Sequence, residues 1–239
     1  ESLASRRTRE SLASRRTRDI QNTLFEHLYD RGMPLQGSLL DLDEELRLHP
    51  VADGLQRREL GLGAWLDIRP GLLTGADLLF TELLRCVPWR AERRQMYDRV
   101  LDVPRLLAYY PEGATLPHPM VEECRRLLSK HYAQELGEPF ATAGLCLYRD
   151  GKDSVAWHGD RSGRSWDEDT MIAIVSLGSA RDLALRPRGG GPSIKVAAGH
   201  GDLIVMGGSC QRTWDHAVLK TTRAVGQRIS IQFRVRGVR

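Results

Sequence analysis

The sequence predicts a mainly β fold with flanking helices, its strands packed as a sandwich or barrel. Three observations carry that expectation. From Phe140 onward, short apolar runs recur at close spacing. Turn signals separate them: "RDGKD" at Arg149–Asp153, "GGG" at Gly189–Gly191, "GHGD" at Gly199–Asp202 and "GGS" at Gly207–Ser209. The last run, "RISIQFRVR", alternates strictly. Ile229, Ile231, Phe233 and Val235 face one way, and Arg228, Ser230, Gln232 and Arg234 the other. The triple glycine is no phosphate loop, since it lacks the G-x-x-x-x-G-K-[ST] pattern and opens no helix, and nothing suggests a Rossmann sheet.

The chain of 239 residues suits one large domain, and 41% hydrophobic with 28% charged residues suits a globular one. No apolar run approaches the roughly 20 residues of a membrane span. No apolar h-region stands at the N-terminus, and the four cysteines (Cys86, Cys124, Cys146, Cys210) form no C-x-x-C pair. Neither a zinc ribbon nor a redox motif is therefore expected, and a cytoplasmic, reducing location is. A formal charge of +4 and a pI near 9.0 permit a polyanionic partner.

Along the chain, "ESLASRRTR" occurs twice in tandem and has no core-forming periodicity, so residues 1–32 read as a flexible basic arm. Within it, Asp19–Asp30 suits a short helix. Residues 33–115 read as an N-terminal region carrying a lid, and 116–239 as the β core, within one globular domain overall. "AWLDI" at Ala64–Ile68 predicts a strand in an otherwise irregular stretch. Thr74 and Asp77 suggest a capping box opening a helix that Pro88 ends. Val121, Cys124, Leu128 and Tyr132 form the buried stripe of a second helix, Met120–Leu136. Strands are expected at Thr142–Arg149, Val155–His158, Met171–Leu177, Asp182–Arg186, Ser193–Ala197, Asp202–Met206 and Arg228–Arg236.

The chemistry gathers around "SVAWHGD". One H-x-D is weak by itself, and three later features give it weight. His216 in "CQRTWDHAV" follows a strand far along the chain, and an eight-stranded jelly roll gathers such positions at one open end. Two histidines and a carboxylate on one side of a metal form a facial triad suited to Fe(II), with positions left open for other ligands. Arg228 and Arg234 share a strand face about 20 Å apart along the strand and are suited to grip both ends of a small dicarboxylate. Tyr148 ends the strand before the hairpin, where its hydroxyl can add a neutral hydrogen bond.

H-x-D, a distant His and R-x5-R on the final strand resemble the AlkB family of Fe(II)- and 2-oxoglutarate-dependent dioxygenases. "LYRDGKDSVAWHGD" and "RISIQFR" resemble its two signature segments, and "VPRLLAYY" at Val103–Tyr110 the stretch before its base-contacting loop. The resemblance covers most of Trp89–Arg236. It implies a double-stranded β-helix (jelly roll, cupin-like) with helices backing one sheet. It implies Fe(II) held by His158, Asp160 and His216, which are also the catalytic residues. Tyr148 and Arg228 would hold the distal carboxylate of 2-oxoglutarate, with Arg234 near the carboxylate that chelates iron. Dioxygen would convert the co-substrate to succinate and carbon dioxide while an N-alkyl group on a nucleobase is hydroxylated and leaves as an aldehyde. Typical substrates would be 1-methyladenine and 3-methylcytosine in single- or double-stranded DNA, with RNA as a further possibility. Two positions depart from the pattern: Cys146 and Ser230 stand where the family often has Asn. After the H-x-D, Arg161 and Ser162 stand where repair members commonly carry another acidic residue.

A base inside a duplex must be extruded to reach such a site, and aromatic rings hold it. Tyr109 and Tyr110 are the candidates, and they point oppositely if both lie on a strand. Trp89 and Trp157 stand behind them, with Trp157 expected in the core. Arg161, Arg164, Arg186 and Arg188 are candidate phosphate contacts, and Asp215 a candidate partner for a metal ligand. His118, His131 and His200 lack matching partners and read as structural or exposed. Competing readings are the same chemistry on tRNA, protein or a small molecule, a non-catalytic nucleic-acid-binding jelly roll, and a metallohydrolase that leaves the paired arginines without a role. A monomer is expected. Finally, Gln36, Leu39 and Leu40 in "LQGSLLDL" resemble a peptide that docks on the sliding clamp, although ordinary amphipathic packing is the simpler reading. If the clamp contact is real, Gln36→Ala with Leu39→Ala abolishes clamp pull-down and spares turnover on free oligonucleotides. Undiminished pull-down by the double variant would refute the contact.

Overall fold

The computed structural model describes residues 45–96, 99–160 and 167–238, all within the compact unit Gly37–Arg239. The basic arm with its expected helix, the Gln36–Leu40 segment, Arg161 and Arg164 lie outside the described residues.

Two strand pairs open the described chain. β1 (Arg47–Leu48) pairs with β4 (Leu73–Thr74), and β2 (Gln56–Gly61) forms a hairpin with β3 (Ala64–Arg69). α1 (Asp77–Cys86) follows, then the long hairpin β5 (Arg90–Met96) and β6 (Arg99–Tyr110). α2 (Pro119–His131) and α3 (Ala133–Leu136) precede β7 (Thr142–Tyr148) and β8 (Val155–His158). The remaining elements are β9 (Ile172–Gly178), β10 (Arg181–Pro187), β11 (Ile194–Ala198), β12 (Leu203–Gly208), α4 (Cys210–Thr213), β13 (Trp214–Val218) and β14 (Arg228–Arg234).

The strands form an eight-stranded sheet in the order β2-β3-β12-β9-β14-β7-β6-β5 and a four-stranded sheet in the order β11-β10-β13-β8. This is the expected jelly roll, with helices against the large sheet. Directly paired residues share a face, and faces alternate along each strand. Register therefore sorts the large sheet. Ala143, Leu145, Leu147, Ala173, Val175, Ile229, Ile231 and Phe233 line the helix side, where Phe233 meets Phe140 at 6.5 Å between rings. Gly144, Cys146, Tyr148, Ser176, Arg228, Ser230, Gln232 and Arg234 line the other side, facing the small sheet. A polar face buried between two sheets has no packing rationale and marks the site.

Several expectations change in detail. β2, β5, β6 and β13 are strands the apolar pattern does not disclose. β5 reads "RAERRQM", whose charges suit an exposed edge strand. The large sheet takes strands from both sides of residue 115, so the expected boundary there does not divide it. α1 begins after Ala76 with no side-chain cap, because the Thr74 hydroxyl bonds His49 Nε2 at 3.0 Å instead. The expected helix Met120–Leu136 breaks at Tyr132 into α2 and α3. His118, a structural residue as expected, caps α2 by accepting the Met120 N–H.

The break at Tyr132 has a cause in the sheet. The fully buried Asp67 accepts two bonds from Arg57, each 2.7 Å, and one from the Tyr132 hydroxyl at 2.9 Å. Burial and the adjacent Asp67 carboxylate raise the Tyr132 phenol far above its usual value, so it stays a donor. Its ring stacks on Trp65. Tyr132→Phe should cost about 1 kcal/mol in urea unfolding, and Asp67→Asn distinctly more, because it weakens a bidentate pair as well. An unchanged midpoint for Asp67→Asn would show that this contact does not fasten the helices to the sheet.

Candidate active site and metal centre

The small sheet brings the histidines together. His158 on β8 lies directly opposite His216 on β13, with ring centroids 4.2 Å apart. The register shifts between this pair and Val218↔Val155, leaving one extra residue in β8. Such a bulge re-aims side chains beside a site. His158 Nδ1 lies 2.8 Å from the Ala156 carbonyl, which can only accept, so in the neutral ring the lone pair sits on Nε2. A Cβ at Gly159 would run into Arg188 Nη2 and stand 2.8 Å from the Gln211 carbonyl oxygen, so a side chain has no room.

Asp160 arrives from the turn after β8. Its Oδ2 accepts from Arg234 at 2.8 and 3.2 Å, and its Oδ1 lies 3.6 Å from His158 Nε2. One ligand atom from each of His158, Asp160 and His216 falls within 4.8 Å of the others. Burial alone would raise the Asp160 carboxyl, but Arg234 and the two histidines bring it down to about 2. Burial, then His158, lowers His216 to about 3. The set is thus one anionic carboxylate and a neutral buried imidazole beside a second imidazole, the donors of a facial triad.

Arg228 and Tyr148 lie opposite each other on β14 and β7. Arg228 is 2% exposed; its Nε donates to Ser176 Oγ at 2.9 Å, and its buried Nη1 has no partner. Burial lowers the Arg228 guanidinium, and burial followed by Cys146 raises the Tyr148 phenol to about 12. Arg181, from the small sheet, spends its donors on the carbonyls of Asp150, Asp153 and Leu219. Arg105 donates to the Ser154 carbonyl and keeps a buried, unpartnered Nε. A buried guanidinium with a spare donor fits an incoming carboxylate.

A model of the 2OG-Fe(II) oxygenase superfamily matches residues 78–234. The alpha-ketoglutarate-dependent dioxygenase alkB homolog 3 of Bos taurus is 32% identical over 178 residues, 68% of this chain and 62% of that protein. The chain belongs to the AlkB family of 2OG-Fe(II) oxygenases. It spans about three fifths of the length of that relative. The DNA oxidative demethylase ALKBH2 of Arabidopsis thaliana is 31% identical over 134 residues, 46% of this chain and 42% of that protein. The solved structure of OsALKBH1 shares the fold, with TM-score 0.51 and 15% identity over 75% of this chain and all of that one. The donor set and the unsatisfied Arg228 fit the iron and 2-oxoglutarate of the family name.

The two departures from the AlkB pattern meet at Gln232. Its Nε2 reaches Cys146 Sγ at 3.5 Å and Ser230 Oγ at 3.3 Å, and its Oε1 accepts from Arg234 at 2.7 Å. One amide thus links both positions. Tyr109 and Tyr110 separate. Tyr109 pairs with Gly144, shares the site face and is 48% exposed. Tyr110 pairs with Ala143 on the helix side, near Cys86, so the structure does not bring it to the triad. Trp157 is half-buried under the Arg186 guanidinium at 4.3 Å, not in the core, because it alternates with His158, which faces the site. Trp89 packs against the core. Arg188 bonds the carbonyls of Gln211 and Trp214 and pairs with Asp215, so it braces the fold. Asp215 faces these arginines and not His216. Gln211, Ser176, Gln232, Arg105 and Arg181 are site neighbours that sequence pattern does not single out, since each matters only through contacts distant in sequence.

The hairpin that delivers β8 depends on Asp153, which accepts three bonds of 2.8 Å from the Arg149 side chain and backbone. Burial would raise the Asp153 carboxyl; these bonds bring it below the usual range. Its folded value thus lies under the unfolded one of about 3.9, and the stabilisation is full above that pH and lost as pH falls through the folded value. Urea unfolding at pH 7 and pH 3 should show Asp153→Asn weaker than wild type at pH 7 and nearer to it at pH 3. An equal deficit at both would contradict the assignment.

Proposed function

We propose that this chain is an Fe(II)- and 2-oxoglutarate-dependent dioxygenase that removes N-alkyl groups from nucleobases in DNA. 1-Methyladenine and 3-methylcytosine are its substrates, so it reverses alkylation damage directly. The observation that carries the reading is the pairing, across the space between the sheets, of the His158–Asp160–His216 triad with a buried Arg228 that lacks an anion. The names of the relatives support the reaction class.

When bound, the iron with dioxygen and 2-oxoglutarate supplies the oxidising chemistry, releasing succinate and carbon dioxide and leaving an alkyl group as aldehyde. The chain's own residues do the rest. His158, Asp160 and His216 hold the metal from one side. Arg234 keeps Asp160 ionised and oriented. Arg228, with the Tyr148 hydroxyl, receives the distal carboxylate, and the apolar walls Ile172, Ile174 and Leu185 exclude water. Tyr109, exposed on the site face, offers a stacking surface for an extruded base. Exposed Arg90 and Arg93 on edge strand β5 suit contact with phosphates.

The assay is succinate and formaldehyde release with Fe(II), 2-oxoglutarate and a single-stranded oligonucleotide bearing either lesion. Matched release of both, lost in Asp160→Ala, is the expected result. Succinate without formaldehyde would reject these bases, and neither product from iron-loaded protein would reject the enzyme. A second test uses stability. Arg228→Met removes a buried charge with an unmet donor, so the ligand-free variant should melt no lower than wild type. With Mn(II) present throughout, wild type should gain about 2.7 kcal/mol from adding 2-oxoglutarate at 100 times its Kd, and the variant far less at the same concentration. A retained shift in the variant would remove Arg228 from the binding site.

A further inference from the structure

The turn that carries Asp160 is held from α4. Asp160 has left β8, so no ladder partner accepts its backbone N–H, and a buried amide must find an acceptor. It donates to Gln211 Oε1 at 3.0 Å. A backbone amide only donates, so the bond fixes which way the Gln211 side chain points. Its Nε2 is left buried with no hydrogen-bond partner, and the residue is 1% exposed. The same residue's carbonyl accepts from Arg188 Nη2 at 3.2 Å, and Arg188 lies over Gly159. Gln211 thus holds Asp160 directly and, through its carbonyl, holds the Arg188 guanidinium that lies against Gly159.

A side chain this buried with an unmet donor is a poor choice for packing alone, where an apolar residue of the same size would do better. What the amide provides that an apolar residue cannot is the acceptor for Asp160. We infer that Gln211 is a positioning residue for the metal-binding carboxylate. It fixes the Asp160 backbone while Arg234 fixes Oδ2, so that Oδ1 stays turned toward His158. The inference rests on the triad being a metal site. It assigns to α4, which contributes no ligand, a part in setting metal affinity.

The test is Mn(II) binding to the full chain, read from the free Mn(II) signal by electron paramagnetic resonance, with melting temperature alongside. Gln211→Met keeps the volume and removes the acceptor; it should weaken Mn(II) binding by about ten- to a hundredfold, the usual cost of losing a group that orients a ligand. Gln211→Glu keeps an acceptor oxygen and should bind close to wild type. Arg212→Ala breaks the neighbouring pair with Asp169 on the same short helix and should leave Mn(II) affinity unchanged. Wild-type affinity in Gln211→Met would overturn the inference. So would equal weakening by Met and Glu, or a loss in Arg212→Ala matching that of Met, since each would indicate packing alone. If wild type takes up no Mn(II), the metal-site reading itself fails and the inference falls with it.

Discussion

The ion pair between Arg234 and Asp160 ties the last strand of the large sheet to the turn leaving the small one. Both side chains are nearly excluded from water, 12% and 7% exposed. Burying two charges is costly, and a pair of apolar residues would hold the sheets together as well or better. The pair makes sense as a device for orientation. It keeps one carboxylate ionised, spends one of its oxygens, and leaves the other beside two imidazoles. Gly144 completes the arrangement from β7: a Cβ there would stand 3.2 Å from Arg234 Nη1, so the guanidinium lies across a strand position without a side chain.

The other end of the same polar face is built on the opposite principle. Around Tyr148 stand Arg228, Arg181 and Arg105, whose positive charges pull its phenol down against burial. Arg181 is satisfied by carbonyls, whereas Arg228 and Arg105 each retain a buried donor with no partner. One end of the inter-sheet space thus concentrates metal-binding donors, and the other concentrates cations. A molecule with a metal-chelating end and an anionic end matches both, which is the chemistry of 2-oxoglutarate.

Much of this was legible in the sequence because it follows a period of two. Arg228 and Arg234 fall on one face by alternation, and β7 and β14 read as strands from their apolar runs. The H-x-D motif is local, so His158 and Asp160 could be found without knowing the fold. The sequence marks His216 but not its strand, since "WDHAV" is short and carries an aspartate and a histidine among its five residues. β5 was hidden by its charges, which an edge strand tolerates. Tyr132 fits a helical stripe, and only its bond to Asp67 explains why the helix breaks there. Gln211 gave no signal at all. Glutamine suits most surfaces, and its importance depends on a turn 51 residues away.

In the function proposed above, metal and dicarboxylate share one site between the sheets. Calorimetric titration of 2-oxoglutarate into the anaerobic protein, with and without Mn(II), tests it most directly, with glutarate as the comparison. Glutarate keeps both carboxylates and lacks the keto oxygen needed for chelation. Mn(II) should greatly strengthen the binding of 2-oxoglutarate and do little for glutarate. Binding of 2-oxoglutarate that is indifferent to the metal, or no stronger than that of glutarate in its presence, would show that the two do not share a site.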